Sequence, residues 1–162
     1  MKKIRLKAMA KINLGLDVVR KREDGYHEVR MIMQTIRMYD QIELEPTEAP
    51  GIRVSTNLNY LPTNEDNLVY KAAKLLMDEF DVKKGLNIGH RKFIPVAAGM
   101  AGGSSDAAAV MVGVNRLFHL NLSQKELMER GVKIGADVPY CILRGTALAE
   151  GIGEKLTHLP PA

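Results

Sequence analysis

The chain has 162 residues, 46% apolar and 26% charged, an ordinary balance for one domain large enough to bury a core. A formal net charge of +4 admits anionic ligands but is too mild to mark a nucleic-acid binder, and with no Trp and 5% aromatics a base-stacking platform is disfavoured. The single cysteine, Cys141, excludes a disulfide framework and a thiolate metal site. Lys2, Lys3, Arg5 and Lys7 interrupt any signal-peptide core, and no apolar run reaches membrane-spanning length, so a cytoplasmic location without membrane partners is expected.

In chain order, Ala8 to Val19 alternates. Ala8, Ala10, Ile12, Leu14, Leu16 and Val18 share one face and Lys11, Asn13, Gly15 and Asp17 the other, which predicts a long strand with one buried face. Lys11 and Asn13 then project together beside Gly15, where a ligand could come close; a solvated sheet lysine is the plainer reading of Lys11. Asp24-Gly25 supplies a hairpin turn, and Tyr26 and His27 follow it as a packed strand start or a ligand platform. Val29 to Met38 reads as a strand and Ile42 with Leu44 as the next, closed by Pro46 and Pro50-Gly51. Ile52 and Val54 mark a short strand. After a polar stretch, Asp66 and Asn67 offer caps for a helix whose core face carries Leu68, Ala72, Leu75 and Leu76. Leu86 to Phe93 is a strand ending in Arg91 and Lys92, which are either solvated edge charges or neighbours of the segment that follows.

That segment, Pro95 to Ala109, reads P-V-A-A-G-M-A-G-G-S-S-D-A-A-A and runs into the apolar stretch Val110 to Phe118. Gly99, Gly102 and Gly103 allow close backbone approach, and Ser104, Ser105 and Asp106 are residue types that start helices. A turn of this kind aims unpartnered N–H groups and the positive end of a helix dipole at one point, where a phosphate is stabilised; a glycine-rich cap on a buried helix is the alternative. No G-K-[ST] ending and no G-x-G-x-x-G spacing is present, so neither the Walker loop nor the dinucleotide fingerprint applies. Ser123 and Glu126 form a capping box for a further helix ending near Gly131 to Gly135. Asp137 then precedes an apolar run, Val138 to Leu143, that reads as a new strand continuing through Thr146 to Glu150; the acid serves either the turn or chemistry. Gly151 to Gly153 turns the chain into Lys155 to His158. There is no internal repeat or linker.

Five motifs fall in one order: A-K-I-N-L-G-L at Ala10 to Leu16, D-G-Y-H at Asp24 to His27, the glycine-rich segment, G-A-D-V-P at Gly135 to Pro139 and E-G-I-G-E at Glu150 to Glu154. Together they resemble the 4-diphosphocytidyl-2-C-methylerythritol kinases, within the superfamily of galactokinase, homoserine kinase, mevalonate kinase and phosphomevalonate kinase. The galactokinase-type G-R-x-N-L start is missing, and Met100-Ala101 stands where relatives commonly carry Leu-Gly. The resemblance implies an α+β fold, mostly antiparallel sheet with helices packed against it, like a ribosomal-protein domain. It implies that residues 1–162 form the N-terminal ATP-binding domain, with the family's second α+β domain absent after Ala162. The implied reaction, with ATP and Mg2+, phosphorylates the tertiary 2-hydroxyl of the methylerythritol unit. Asp137 matches the catalytic aspartate and Lys11 the lysine beside it. The phosphate loop matches Pro95, Val96, Ala97, Ala98, Gly99, Met100, Ala101, Gly102, Gly103, Ser104 and Ser105, while Asn67 and Lys92 fall where adenine is approached. Asn13 matches a substrate contact near the reacting centre, Tyr26 the residue stacked on cytosine and His27 its hydrogen-bonding partner. No metal ligands are assigned. The competing functions are a nucleic-acid-binding module of ribosomal-protein-like fold and a nucleotide binder without turnover.

Overall fold

The computed structural model describes residues 2–25, 27–95 and 100–160, apart from the side chains of residues 16, 17 and 27. Alternating sequence builds two long strands, β1 (Ile4–Lys21) and β2 (His27–Thr47), joined through the Asp24-Gly25 turn, where Gly25 takes a φ of 90°. The two strands expected between Val29 and Leu44 are thus one. No glycine or proline separates them, and Asp40, between the two runs, is buried with its carboxylate hydrogen-bonded instead of turning the chain.

The single buried face expected of β1 is also revised. Its pairing with β2 is irregular between Met9 and Lys11, Asn13 and Gly15, and Val18 and Arg20, and each irregularity resets the two-residue alternation. Leu14 and Val18 are consequently 50% and 60% exposed, whereas Lys11, on the face predicted to be polar, is only 5% exposed.

β3 (Ile52–Thr56) and β4 (Gly85–Arg91) pair in parallel, linked by α1 (Leu68–Glu79), which Asn67 caps by accepting from the Val69 amide. The second half of β2 pairs with β4 and its first half with β5 (Thr146–Gly151), which carries β6 (Lys155–Leu159) on its far side. All pairings but β3 with β4 are antiparallel, giving a mixed six-stranded sheet. Helix α2 (Gly102–Leu117) lies on its inner face against β1, β2, α1 and the short helix α4 (Val138–Leu143), with α3 (Gln124–Gly131) behind α4. The α2 backbone comes close to the sheet at Gly113, where an added Cβ would lie 2.4 Å from Leu44 Cδ1. Leu44, Leu76, Leu86, Ile88, Met111 and Val114 fill the space between sheet and helices. Among the described residues no helix is long and apolar enough to cross a membrane.

Val138 to Leu143 is a helix, not the predicted strand. A six-residue apolar run fits a buried helix as well as a buried strand, and Pro139 in the first helical turn, where no N–H is needed, decides for the helix. α2 also starts earlier than its hydroxyls suggest. Ala101 occupies the cap position with a φ of 55°, no side chain caps the helix, and Ser104, Ser105 and Asp106 lie within its first turns.

Candidate active site

A cleft of about 570 Å³ opens where β1, the glycine-rich segment, the start of α1 and the start of α4 meet. Lys11, Asn13, Asn67, Lys92, Pro95, Met100, Gly102 and Asp137 line it, so residues from three of the five motifs, joined by Asn67 and Lys92, converge on one cavity. A larger depression of about 730 Å³ on the outer sheet face, flanked by Arg5, Lys7 and Arg91, holds none of them.

Local structure explains the convergence. At the first irregularity of β1 the Lys11 amide donates to the Met100 carbonyl at 3.1 Å, and Ser105 Oγ donates to the Met9 carbonyl at 2.5 Å. The end of the glycine-rich segment is thereby tied to β1 from both sides of the bulge. The Lys11 ammonium donates to Asn13 Oδ1 at 3.2 Å and, among the described residues, pairs with no carboxylate. Asp137 precedes α4 without capping it, and an added Cβ on Gly153 would lie 3.6 Å from its Oδ1. The charges of both residues reach the neighbouring Cys141, whose thiol is pushed up to about 12 by burial, reinforced by Asp137 and opposed by Lys11. A cation and a carboxylate lining one cleft, beside the N-terminus of a helix, can bind phosphates and orient a hydroxyl. Tyr26 and the segment Val96, Ala97, Ala98 and Gly99 lie outside the described residues; of His27 only the backbone is described, paired with Lys21 at the start of β2.

Part of the cleft wall belongs to a buried polar cluster in which only Asp106 lies within one of the five motifs. Lys92 Nζ donates to Asp40 Oδ2 at 2.7 Å and to Asp106 Oδ2 at 3.0 Å, and His90 Nε2 lies 2.5 Å from the same Asp106 oxygen. Asn67 extends the cluster at 3.5 Å from His90 Nδ1 while its amide donates to the Pro62 carbonyl. Burial pushes the Asp106 carboxyl up to about 6 against the lowering pull of His90 and Lys92. Burial also opposes ionisation of Asp40 and Lys92, but is outweighed in both. Asp40 is held below the usual carboxylate range by Asp106 and by the Ile94 amide, with Lys92 and the Phe93 amide adding to them; Lys92 is held above its ordinary value by the two acids. Asp40, His90 and Asp106 place donor atoms within 4.8 Å of one another, yet the Lys92 ammonium already fills the space between the carboxylates, and a metal ion does not fit there. Asp40 and His90 had a sequence signal: each occupies a core-facing position in an alternating strand, where a polar side chain is unexpected.

Residues 67–145 match the model of the GHMP kinases N terminal domain. A 4-diphosphocytidyl-2-C-methyl-D-erythritol kinase of Lachnoclostridium phytofermentans is 64% identical over 98% of this chain, and one of Lachnospira eligens is 61% identical over 99%. The chain carries a GHMP kinase N-terminal domain. It spans about half the length of these relatives, 55% and 56% respectively. Among solved structures, a 4-(cytidine 5'-diphospho)-2C-methyl-D-erythritol kinase superposes with a TM-score of 0.83 at 36% identity, covering 96% of this chain and 55% of its own. A homoserine kinase from Cytophaga hutchinsonii, at 18% identity and a TM-score of 0.77, shares the fold.

Proposed function

We propose that the chain is the nucleotide-binding domain, residues 1–162, of an ATP-dependent kinase acting on 4-diphosphocytidyl-2-C-methyl-D-erythritol in the non-mevalonate route to isoprenoid precursors. The observation that carries the reading is the meeting of Lys11, Asp137 and the start of α2 in one cleft. Phosphoryl transfer asks a protein mainly for positioning and charge stabilisation. Backbone N–H groups within the segment from Pro95 to Ser105 cradle the phosphates, Pro95 itself having none and that of Ser105 being bonded to the Ala101 carbonyl, and Asn67 and Lys92 border the adenine. Asp137 orients the tertiary hydroxyl and takes its proton, while the Lys11 ammonium offsets negative charge that develops between them. Asn13 contacts the substrate near the hydroxyl, and Tyr26 and His27 hold the cytosine.

Asp66 and Ser104, oxygen-bearing residues of the cleft lining, are the ones that would hold Mg2+, which when bound would neutralise phosphate charge. Small molecules rather than nucleic acids or membranes are the partners we assign, in the cytoplasm where ATP is supplied. Calorimetric titration with ATP and Mg2+ tests the reading: saturable binding at one site per chain is expected, and no binding, or binding unaffected by Gly102→Val in a folded chain, would overturn it.

A further inference from the structure

The glycine-rich segment is entered from the end of β4 and left through the first turn of α2, and one buried residue outside the cleft holds the first flank directly and the second through Lys92. Asp40 Oδ1 accepts from the Phe93 amide at 2.6 Å and the Ile94 amide at 2.7 Å, the last residues before Pro95. Its Oδ2 accepts from Lys92 Nζ, which in turn donates to Asp106 in α2. The same ammonium lies under Gly102, where an added Cβ would come within 2.8 Å of it. We propose that Asp40 is a positioning residue for the nucleotide: through Lys92 and Asp106 it fixes the spacing between the β4 exit and the α2 N-terminus, and so the aim of the phosphate-binding N–H groups. This role rests on the ATP-binding reading above.

The argument is one of geometry and of charge. Four ionisable groups from three elements face one another in this cluster: Asp40 on β2, His90 and Lys92 at the end of β4, and Asp106 on α2. Such a cluster is costly to bury, and a salt bridge of this kind contributes less to stability than apolar packing of equal volume. What it does supply is directional: each bond fixes one backbone segment relative to another. Both oxygens of Asp40 are engaged on the β4 side of the segment, and the α2 side is reached through the Lys92 ammonium, which also donates to Asp106. A donor that cannot leave its acceptor without exposing a buried charge holds the two flanks more rigidly than side-chain packing does.

The test is Asp40→Asn, which keeps shape but removes the charge, read by amide hydrogen exchange and by calorimetric ATP affinity well below the melting temperature. The telling reporter is the Ser105 amide, bonded to the Ala101 carbonyl in the first turn of α2 and distant in sequence from Asp40. Expected are faster exchange at Ser105 and an ATP affinity weaker by about tenfold, at a temperature where the variant is fully folded. A merely structural role would lower the melting temperature and leave the affinity of the folded variant unchanged; that result overturns the proposal alone. Failure of the unsubstituted chain to bind ATP would overturn the ATP-binding reading and this role with it. Should Asp40→Asn not fold, Asp40→Asn combined with Lys92→Met leaves no single unpaired cation, and unchanged Ser105 exchange in that variant would overturn the proposal.

Discussion

Lys92 Nζ lies 2.7 Å from Oδ2 of Asp40, 52 residues earlier in the chain, with both side chains almost wholly out of water. Ammonium and carboxylate each carry a desolvation cost that the other helps to offset, so the pair is more sensitive to losing one partner than to losing both.

Lys92→Met should therefore be strongly destabilising, by about 3–5 kcal/mol, because it leaves Asp40 and Asp106 buried without their shared cation. Chemical denaturation of variant and parent chain measures the difference. A loss below about 1 kcal/mol would mean that water or His90 compensates the acids.

The cluster also sets a pH dependence. Asp106 has a folded pKa of about 6 against 3.8 for the free side chain, so the folded chain holds that proton the more tightly. Its stabilising contribution is full below about pH 4 and is lost as the pH rises through about 6. Asp40, held below its ordinary value, works in the opposite sense, its contribution being lost only in acid. Asp106→Asn stays neutral, so between pH 4 and 7 the parent chain should lose about 1–3 kcal/mol relative to the variant. Denaturation curves across that range, with a difference that does not change with pH, would contradict the assignment.

Lys11 lies on the catalytic side of the same question. It is buried beside Asn13 with no carboxylate partner among the described residues, an arrangement that does not favour folding. Lys11→Met should leave the melting temperature unchanged or raise it while abolishing phosphoryl transfer, the signature of a residue kept for chemistry. Marked destabilisation would instead assign Lys11 to the fold.

Much of this was legible in sequence. The hairpin at Asp24-Gly25, the Asn67 cap, the Ser123 and Glu126 capping box and the order of the motifs need only local chemistry, and each lies where the residues predict. The errors have one source, which is that tertiary contacts decide where local signals are even. Val138 to Leu143 satisfies a buried strand or a buried helix, and the irregularities in β1 that bury Lys11 and expose Leu14 arise from what packs beside it. The Asp40, His90, Lys92 and Asp106 cluster is hidden in the sequence because its bonded pairs are 14 to 52 residues apart and only Asp106 lies within a motif; polarity at the core-facing positions of β2 and β4 is what betrays it.

Gly102 joins the two halves of the account. A side chain there meets the Lys92 ammonium at 2.8 Å and Ile94 Cγ2 at 3.2 Å, whereas at Gly103 the nearest atom is Leu68 Cδ1 at 3.4 Å. Gly102→Val should weaken ATP binding by more than about tenfold and also lower the melting temperature by pressing on the cluster. Gly103→Ala should disturb stability less. Equal melting temperatures for the two variants would contradict the close packing of Lys92 under the helix start.

Asp137 lines the same cleft as Lys11, and the role proposed for it is to orient the acceptor hydroxyl and take its proton. The direct measurement is ADP release with ATP, Mg2+ and 4-diphosphocytidyl-2-C-methyl-D-erythritol, comparing the parent chain with Asp137→Asn, alongside calorimetric ATP affinity for both. The account predicts turnover lower by about 100-fold to 10,000-fold in the variant with ATP affinity nearly intact. Turnover close to that of the parent chain in Asp137→Asn would contradict it.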